Sequence, residues 1–342
     1  MPIFKELIQG DDMQESPAII TSGVWQDGAS NITAFYTSST QSGSTGDYHL
    51  NVYRYSPANN ASASIQLGIS YGHREGSGSL GTVGATGERP SAAVFGQFNS
   101  LINPPNTTTF TFSSKTDAVQ IYALTFNRAR IREKLDPGTW ELHLKKAKNV
   151  VKLIDDSSTN KGGNTNQRNF SPEYNIVSGT VAGGTTINEA ATAQGSALGS
   201  YGSFYPSLGV LILNPYRLWQ GQAPVTTTSA SNTNNWNNQQ LFHAIESGSY
   251  FTARRQEEIT SRHYFCRAHS SEFNATTNET YYTQSVAGVK QIISQFQSDP
   301  KVYITCVGLY NSDNELLAIA KLSKPILKSK SREALIKVKL DF

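Results

Sequence analysis

The sequence predicts a mainly β, multi-domain protein with β-sandwich or barrel-like domains, long Gly/Ser/Thr/Asn-rich loops and a few short helices. Three observations predict this. The first is composition. Of 342 residues, 16% are charged and 37% hydrophobic, against roughly 25% charged in ordinary soluble proteins. Ser, Thr, Asn and Gly fill the gap, and aromatic residues, led by Tyr, reach 10%. Aromatic and β-branched residues interleaved with small polar ones favour strands and turns. The second is alternation of apolar and polar residues with a period of two. The third is the frequency of Gly-, Pro- and Asn-rich breaks between the apolar stretches.

A chain of this length exceeds one ordinary domain. It reads as an extended N-terminal arm (1–29), a β-rich domain (30–155), a loop-rich β middle region (156–240) and a C-terminal β-rich domain (241–342). In the arm, Gly10, Asp11, Asp12 and Pro17 argue against one long helix. Segments 48–55 (YHLNVYRY) and 65–71 (IQLGISY) predict a hairpin of two half-buried strands. Ile65, Leu67, Ile69 and Tyr71 share one face of it. The Gly/Ser-rich stretch 72–90 is too long for an idle connection. Segment 91–103 predicts a short helix with Val94, Phe98 and Leu101 along one side.

Strands follow at 107–114, 118–126 and 140–144 (WELHL). The last is entered through the turn Asp136-Pro137-Gly138, where Pro sets φ and Gly suits a positive-φ site. Between 155 and 200 only 174–181 reads as a strand. SLGVLILNP (207–215) predicts a buried strand, 221–240 a loop, and 241–259 a partial helix interrupted at Gly248. Segment 263–274 reads as a strand, and 286–297 fits helix or strand. Segments 302–310 and 315–323 form a hairpin around Asn311-Ser312-Asp313-Asn314. In the last segment Ala334, Ile336, Val338 and Leu340 alternate with Leu335, Lys337 and Lys339. Cys266 and Cys306 read as buried thiols on strands, not as a disulfide framework.

Each tempting chemical site fails a physical test. Gly76 to Gly81 matches G-x-G-x-x-G, but Gly84, Gly87 and Pro90 prevent the helix that would aim N–H groups at a pyrophosphate. His263, Cys266 and His269 have metal-like spacing, yet on a strand 266 points away from the other two. No nucleophile elbow, phosphate-binding loop or zinc-protease motif occurs. The expectation is no catalytic residue, no cofactor and no metal. A net charge of +3 is too mild for a nucleic-acid partner. No apolar run reaches the roughly 20 residues that cross a bilayer, and no leader pattern opens the chain, so a membrane is not expected either.

The densest charge lies in residues 127–144 (NRARIREKLDPGTWELHL). Arg128, Arg130 and Arg132 would share one face of an extended segment, with Glu133 and Asp136 beside them. A basic ladder of that kind could meet phosphate. The simpler reading is an architectural corner. Pro137 and Gly138 turn the chain, Trp140 anchors it, and the cations pair with local or neighbouring carboxylates.

Six stretches, in this order, resemble virion structural proteins of T4-like contractile-tailed phages, including those of cyanobacteria. They are ISYGHREGSGS (69–79), FGQFNSLI (95–102), QIYALTFNRARIREKLDPGTWELHL (120–144), SFYPSLGVLILNP (203–215), RHYFCRAHSSEFNATTNETY (262–281) and VYITCVGLYNSDNELLAIAKLSKPI (302–326). The chain departs from the family pattern at Phe265 to Ala268 and at Ala275. The resemblance implies a tail subunit of the baseplate wedge, assembled in a host cytoplasm and residing in the virion. Its partners would be other tail and baseplate proteins, in several symmetric copies. Neck, sheath-associated and fibre-anchoring positions are alternatives within the same resemblance. A carbohydrate-binding or degrading tail component, contacting host glycan, is a different reading, suggested by the Tyr and Trp content.

Overall fold

The computed structural model describes residues 4–41, 47–76, 89–161, 163, 172–182, 186–187, 198–219, 236–284 and 288–341. The chain is mainly β and divides into two compact units. One spans Ile20–Glu257; the other joins Met1–Ile19 to Glu258–Phe342. The anticipated boundaries at 155/156 and 240/241 fall inside the first unit. There, strands from all three anticipated regions pair in one sheet, so hydrogen bonding overrides the changes in composition that suggested boundaries.

In chain order the strands are β1 (Met13–Gly23), β2 (Asn31–Ile32), β3 (Tyr36–Thr37), β4 (His49–Tyr53), β5 (Ile65–His73), β6 (Phe110–Phe112), β7 (Lys115–Ala118) and β8 (Gln120–Phe126). Then come β9 (Lys134–Leu135), β10 (Glu141–Lys146), β11 (Asn149–Asp155), β12 (Tyr174–Thr180), β13 (Thr186–Ile187), β14 (Gly202–Tyr205), β15 (Val210–Leu213), β16 (Phe251–Thr252) and β17 (Arg254–Ala268). Helices in this unit are α1 (Pro90–Ile102), α2 (Arg128–Ile131), α3 (Pro215–Trp219) and α4 (Asn237–Gly248).

The main sheet has 12 strands in the order β2-β16-β10-β11-β12-β14-β15-β8-β5-β4-β3, with β13 attached to β12. Laid flat, that path would separate β2 from β3 by about 48 Å at roughly 4.8 Å per strand. Yet only residues 33–35 connect them, a reach of at most about 14 Å. The sheet must therefore curl until its ends approach. Helix α4 packs within the curl, against β10 near one end and β4 and β5 near the other. Leu241, Phe242 and Ile245 enter the same apolar cluster as Leu50, Ile69 and Leu144. Each such side chain contributes about 1.5–3 kcal/mol on burial.

The alternation read in 65–71 has its predicted result: Leu67, Ile69 and Tyr71 are fully buried in this core. Strand β8 buries both faces. Tyr122 and Leu124 point into the curl, while Ile121 and Ala123 join Val210 and Ile212 under α1 and the β6–β7 hairpin. Helix α1 approaches β5 closely because residue 72 is glycine; a Cβ there would lie 2.9 Å from the Phe95 Cα. The apolar side of α1 runs through Val94, Phe95, Phe98 and Ile102, whereas Leu101, placed on it by spacing, is exposed. Gly248 ends α4 against the β10 backbone; a Cβ would sit 2.0 Å from the His143 carbonyl oxygen. The strand read at 140–144 is β10, but its hairpin partner β11, with Leu153 opposite Leu142, has no counterpart in the sequence reading. The hairpin's lysine-rich tip, KKAKN, masks the alternation.

The second unit holds most of β17, β18 (Tyr282–Gln284), β19 (Lys290–Ile292), α5 (Ser294–Ser298), β20 (Lys301–Tyr310), β21 (Leu316–Ser329) and β22 (Ala334–Asp341). The ambiguous segment 286–297 supplies both a strand and a helical turn. Strand β22 pairs with β17 from Ala334↔Ala268 to Asp341↔Ser261, burying Ala334, Ile336 and Val338. Neither cysteine is buried as expected. Cys266 is half-buried on β17 and Cys306 is exposed on β20.

Candidate functional site

The corner at 127–144 lies wholly within the first unit. Asn127 follows β8 and caps α2, its Oδ1 accepting from the Ala129 N–H at 3.1 Å. Its Nδ2 donates to the Ile65 carbonyl at 3.0 Å. The single turn of α2 stops at Arg132, whose φ of 59° no right-handed helix continues. The three arginines therefore do not form a ladder, since the segment is helical where an extended strand was required.

Each cation goes its own way. Arg128 Nη1 donates to the Ser207 carbonyl at 2.9 Å. Arg130 donates to the Ser64 hydroxyl, and its burial pulls the guanidinium below the ordinary arginine range. Arg132 pairs with Glu257 at 2.7 Å. Glu133 stands exposed between α2 and β9. Arg255 Nη1 donates to the Arg130 carbonyl at 3.1 Å and its Nε to Ser22 at 2.7 Å. These side chains stitch backbone segments together more than they neutralise carboxylates.

The turn follows. Leu135 and Lys134 of β9 pair with Arg255 and Gln256. Gly138 has a φ of 79°, which glycine adopts without strain. Its N–H donates to Asp155 Oδ2 at 2.8 Å, and the Ser157 N–H donates to Oδ1 at 3.0 Å. Burial pushes the Asp155 carboxyl up, while those hydrogen bonds draw it down. Asp136 is pushed up by burial and then by Asp155, against Arg254 and Lys134. Trp140 and Leu142 are fully buried, and the Trp140 ring lies 5.6 Å from that of Phe204. Of the residues singled out by sequence, Arg128, Arg130 and Arg132 thus bond to three different neighbours, while Gly138 sits in the turn and Trp140 in the core.

The surface that sequence reasoning missed lies on the β20–β21 hairpin. Tyr303, Tyr310, Leu316, Leu317 and Ile319 are between 45% and 69% exposed. A strand pair rich in apolar residues on both faces reads as buried, and only the structure reveals how much of it stays exposed. In that unit the buried apolar side chains among the described residues are Tyr281, Val302, Ala334, Ile336 and Val338. That is a meagre core, and a two-stranded hairpin alone is marginal in water.

Among the described residues no group of three His, Cys, Asp or Glu could hold a metal ion. His263 faces Ser16 at 3.5 Å and His269 faces Glu333 at 3.4 Å. No helix of the described residues is long and apolar enough to cross a membrane. Trp25 and Trp140 sit in the core and cannot stack on a sugar ring. Beyond Gly76, the glycine-rich motif lies outside the described residues, as does most of the anticipated loop 221–240. The chain matches no family model, no curated protein and no solved structure. Fold and surface together define a mainly β protein of two units, one with a deep core and one with an uncovered apolar hairpin.

Proposed function

We propose that this chain is a non-enzymatic structural subunit of a contractile phage tail, a baseplate wedge component that acts by protein–protein contact. The observation that carries the assembly part is the hairpin: a long strand pair exposing large apolar side chains in a unit that buries few of its own. Contiguous exposed apolar surface on a folded protein marks an interaction site. The placement in a phage tail rests on the six ordered stretches of resemblance. Low charge and many hydroxyls and amides suit surfaces that become interfaces. Mass spectrometry of washed, gradient-purified particles tests the reading. The chain is expected among the tail proteins at a stoichiometry set by the tail's symmetry; its absence from washed particles overturns the proposal.

A further inference from the structure

The hairpin carries charge in a pattern that says what covers it. Its tip, 311–315, holds Asp313 and Glu315, both exposed. Its stem holds Lys321 and Lys324, also exposed, and no ion pair joins either lysine to a carboxylate among the described residues. Register puts Cys306 opposite Lys321, Gly308 opposite Ile319, and Tyr310 opposite Leu316. Directly opposed residues share a face, and a Cβ on Gly308 would lie 2.8 Å from the Tyr310 ring and 3.2 Å from Leu316 Cδ1, which keeps both on the Gly308 face across the register shift between Leu309 and Tyr310. That face reads acidic tip, then Tyr310 and Leu316 folded over Gly308, then Ile319, then Lys321. The Phe4 ring extends it, 5.0 Å from Tyr310 and 49% exposed itself. Pro325 and the register shift between Ile304 and Cys306 blunt the hairpin edge, so the face, not the edge, is free to pack.

A surface acidic at one end, apolar in the middle and basic at the other is complementary to itself turned through a two-fold axis. From these features we infer that the occupant of this face is a second copy of the same chain. The two hairpins lie antiparallel, with the axis near Gly308 and Ile319. Glu315 and Asp313 of each copy reach Lys321 and Lys324 of the other, and Tyr310, Leu316 and Ile319 are shielded between them. The inference rests on the reading of the hairpin as an assembly surface but not on membership of a virion. Particle mass spectrometry and the following experiment therefore fail separately.

Sedimentation equilibrium of the full chain is the test. The wild type is expected to dimerise. Lys321→Glu with Lys324→Glu should weaken the dimer at least about tenfold, since it sets like charges face to face. Asp313→Lys with Glu315→Lys should do the same. All four changes together should restore it, and that recovery distinguishes a specific interface from misfolding. Ile319→Lys, at an exposed position, should abolish the dimer while leaving the circular dichroism spectrum unchanged. A wild-type chain that stays monomeric at high micromolar concentration overturns the inference and leaves a different protein as the occupant. A dimer indifferent to these charge reversals overturns it equally.

Discussion

The backbone N–H of Gly138 donates to the Asp155 carboxylate across 2.8 Å, tying the turn before β10 to the end of β11. Asp155 is fully buried and accepts from Ser157 as well. Asp155→Ala removes the carboxylate that accepts from both the Gly138 and Ser157 N–H groups, so unfolding free energy should fall by about 1–3 kcal/mol. Urea titration of the full chain measures it; an unchanged midpoint would show that the turn does not depend on this bond.

Asp136 gives a pH signature. Burial and the neighbouring Asp155 raise its carboxyl above the ordinary aspartate value of 3.8. The folded state then holds the proton more tightly than the unfolded one. Its contribution to stability is therefore greatest below that value and is lost as pH rises through the folded pKa. Asp136→Asn should match the wild type at low pH and become the more heat-resistant of the two as pH rises above about 4. Thermal melts of both proteins across pH 3–7 decide it, and parallel curves would refute the assignment.

Gly138 should tolerate no branched residue. Its φ of 79° is open to glycine and costly for valine. Gly138→Val is expected to lose about 1–2 kcal/mol from the backbone alone, while Gly138→Asn loses less. Combined with Pro137→Ala, Gly138→Val should impair folding or particle assembly. Soluble yield and denaturant midpoints of the set check the order.

Much of the first unit was legible in the sequence because its signals are local. Alternation at Ile65, Leu67, Ile69 and Tyr71 carries a strand face, and Asp136-Pro137-Gly138 carries a turn. Long-range pairing was not legible. Nothing near Asn31 or Tyr36 announces that these short strands bound one curled sheet, or that residues from both sides of 155 share it. The alternation of Arg128, Arg130 and Arg132 fits an extended strand, but the Asn127 cap and the positive φ of Arg132 make a helical turn instead. The exposed hairpin was hidden for a related reason. Its residues are those of a buried strand, and exposure is decided by what does or does not pack on it.

The corner's cations should differ in worth. Arg132 and Glu257 form an ion pair open to solvent, and a double-mutant cycle should give a coupling below about 1 kcal/mol, smaller still at high salt. Arg130 is partly buried and bonded to Ser64, so Arg130→Ala should cost more than Arg132→Ala. The reverse order would contradict the described network.

Trp140 should be the costliest single truncation at the corner. Its ring is fully buried against Phe204, and Trp140→Ala is expected to lose about 3–5 kcal/mol. Differential scanning calorimetry or urea unfolding gives the value, and a loss under about 1 kcal/mol would place the anchor elsewhere.

On the function proposed above, the chain works by burying its exposed hairpin against neighbours in a tail. A density map of the washed particle, resolved well enough to trace strands, tests it most directly. Density for this chain is expected in the tail, with Tyr310, Leu316 and Ile319 covered by another subunit. A particle without the chain, or one that leaves the hairpin facing solvent, would contradict it.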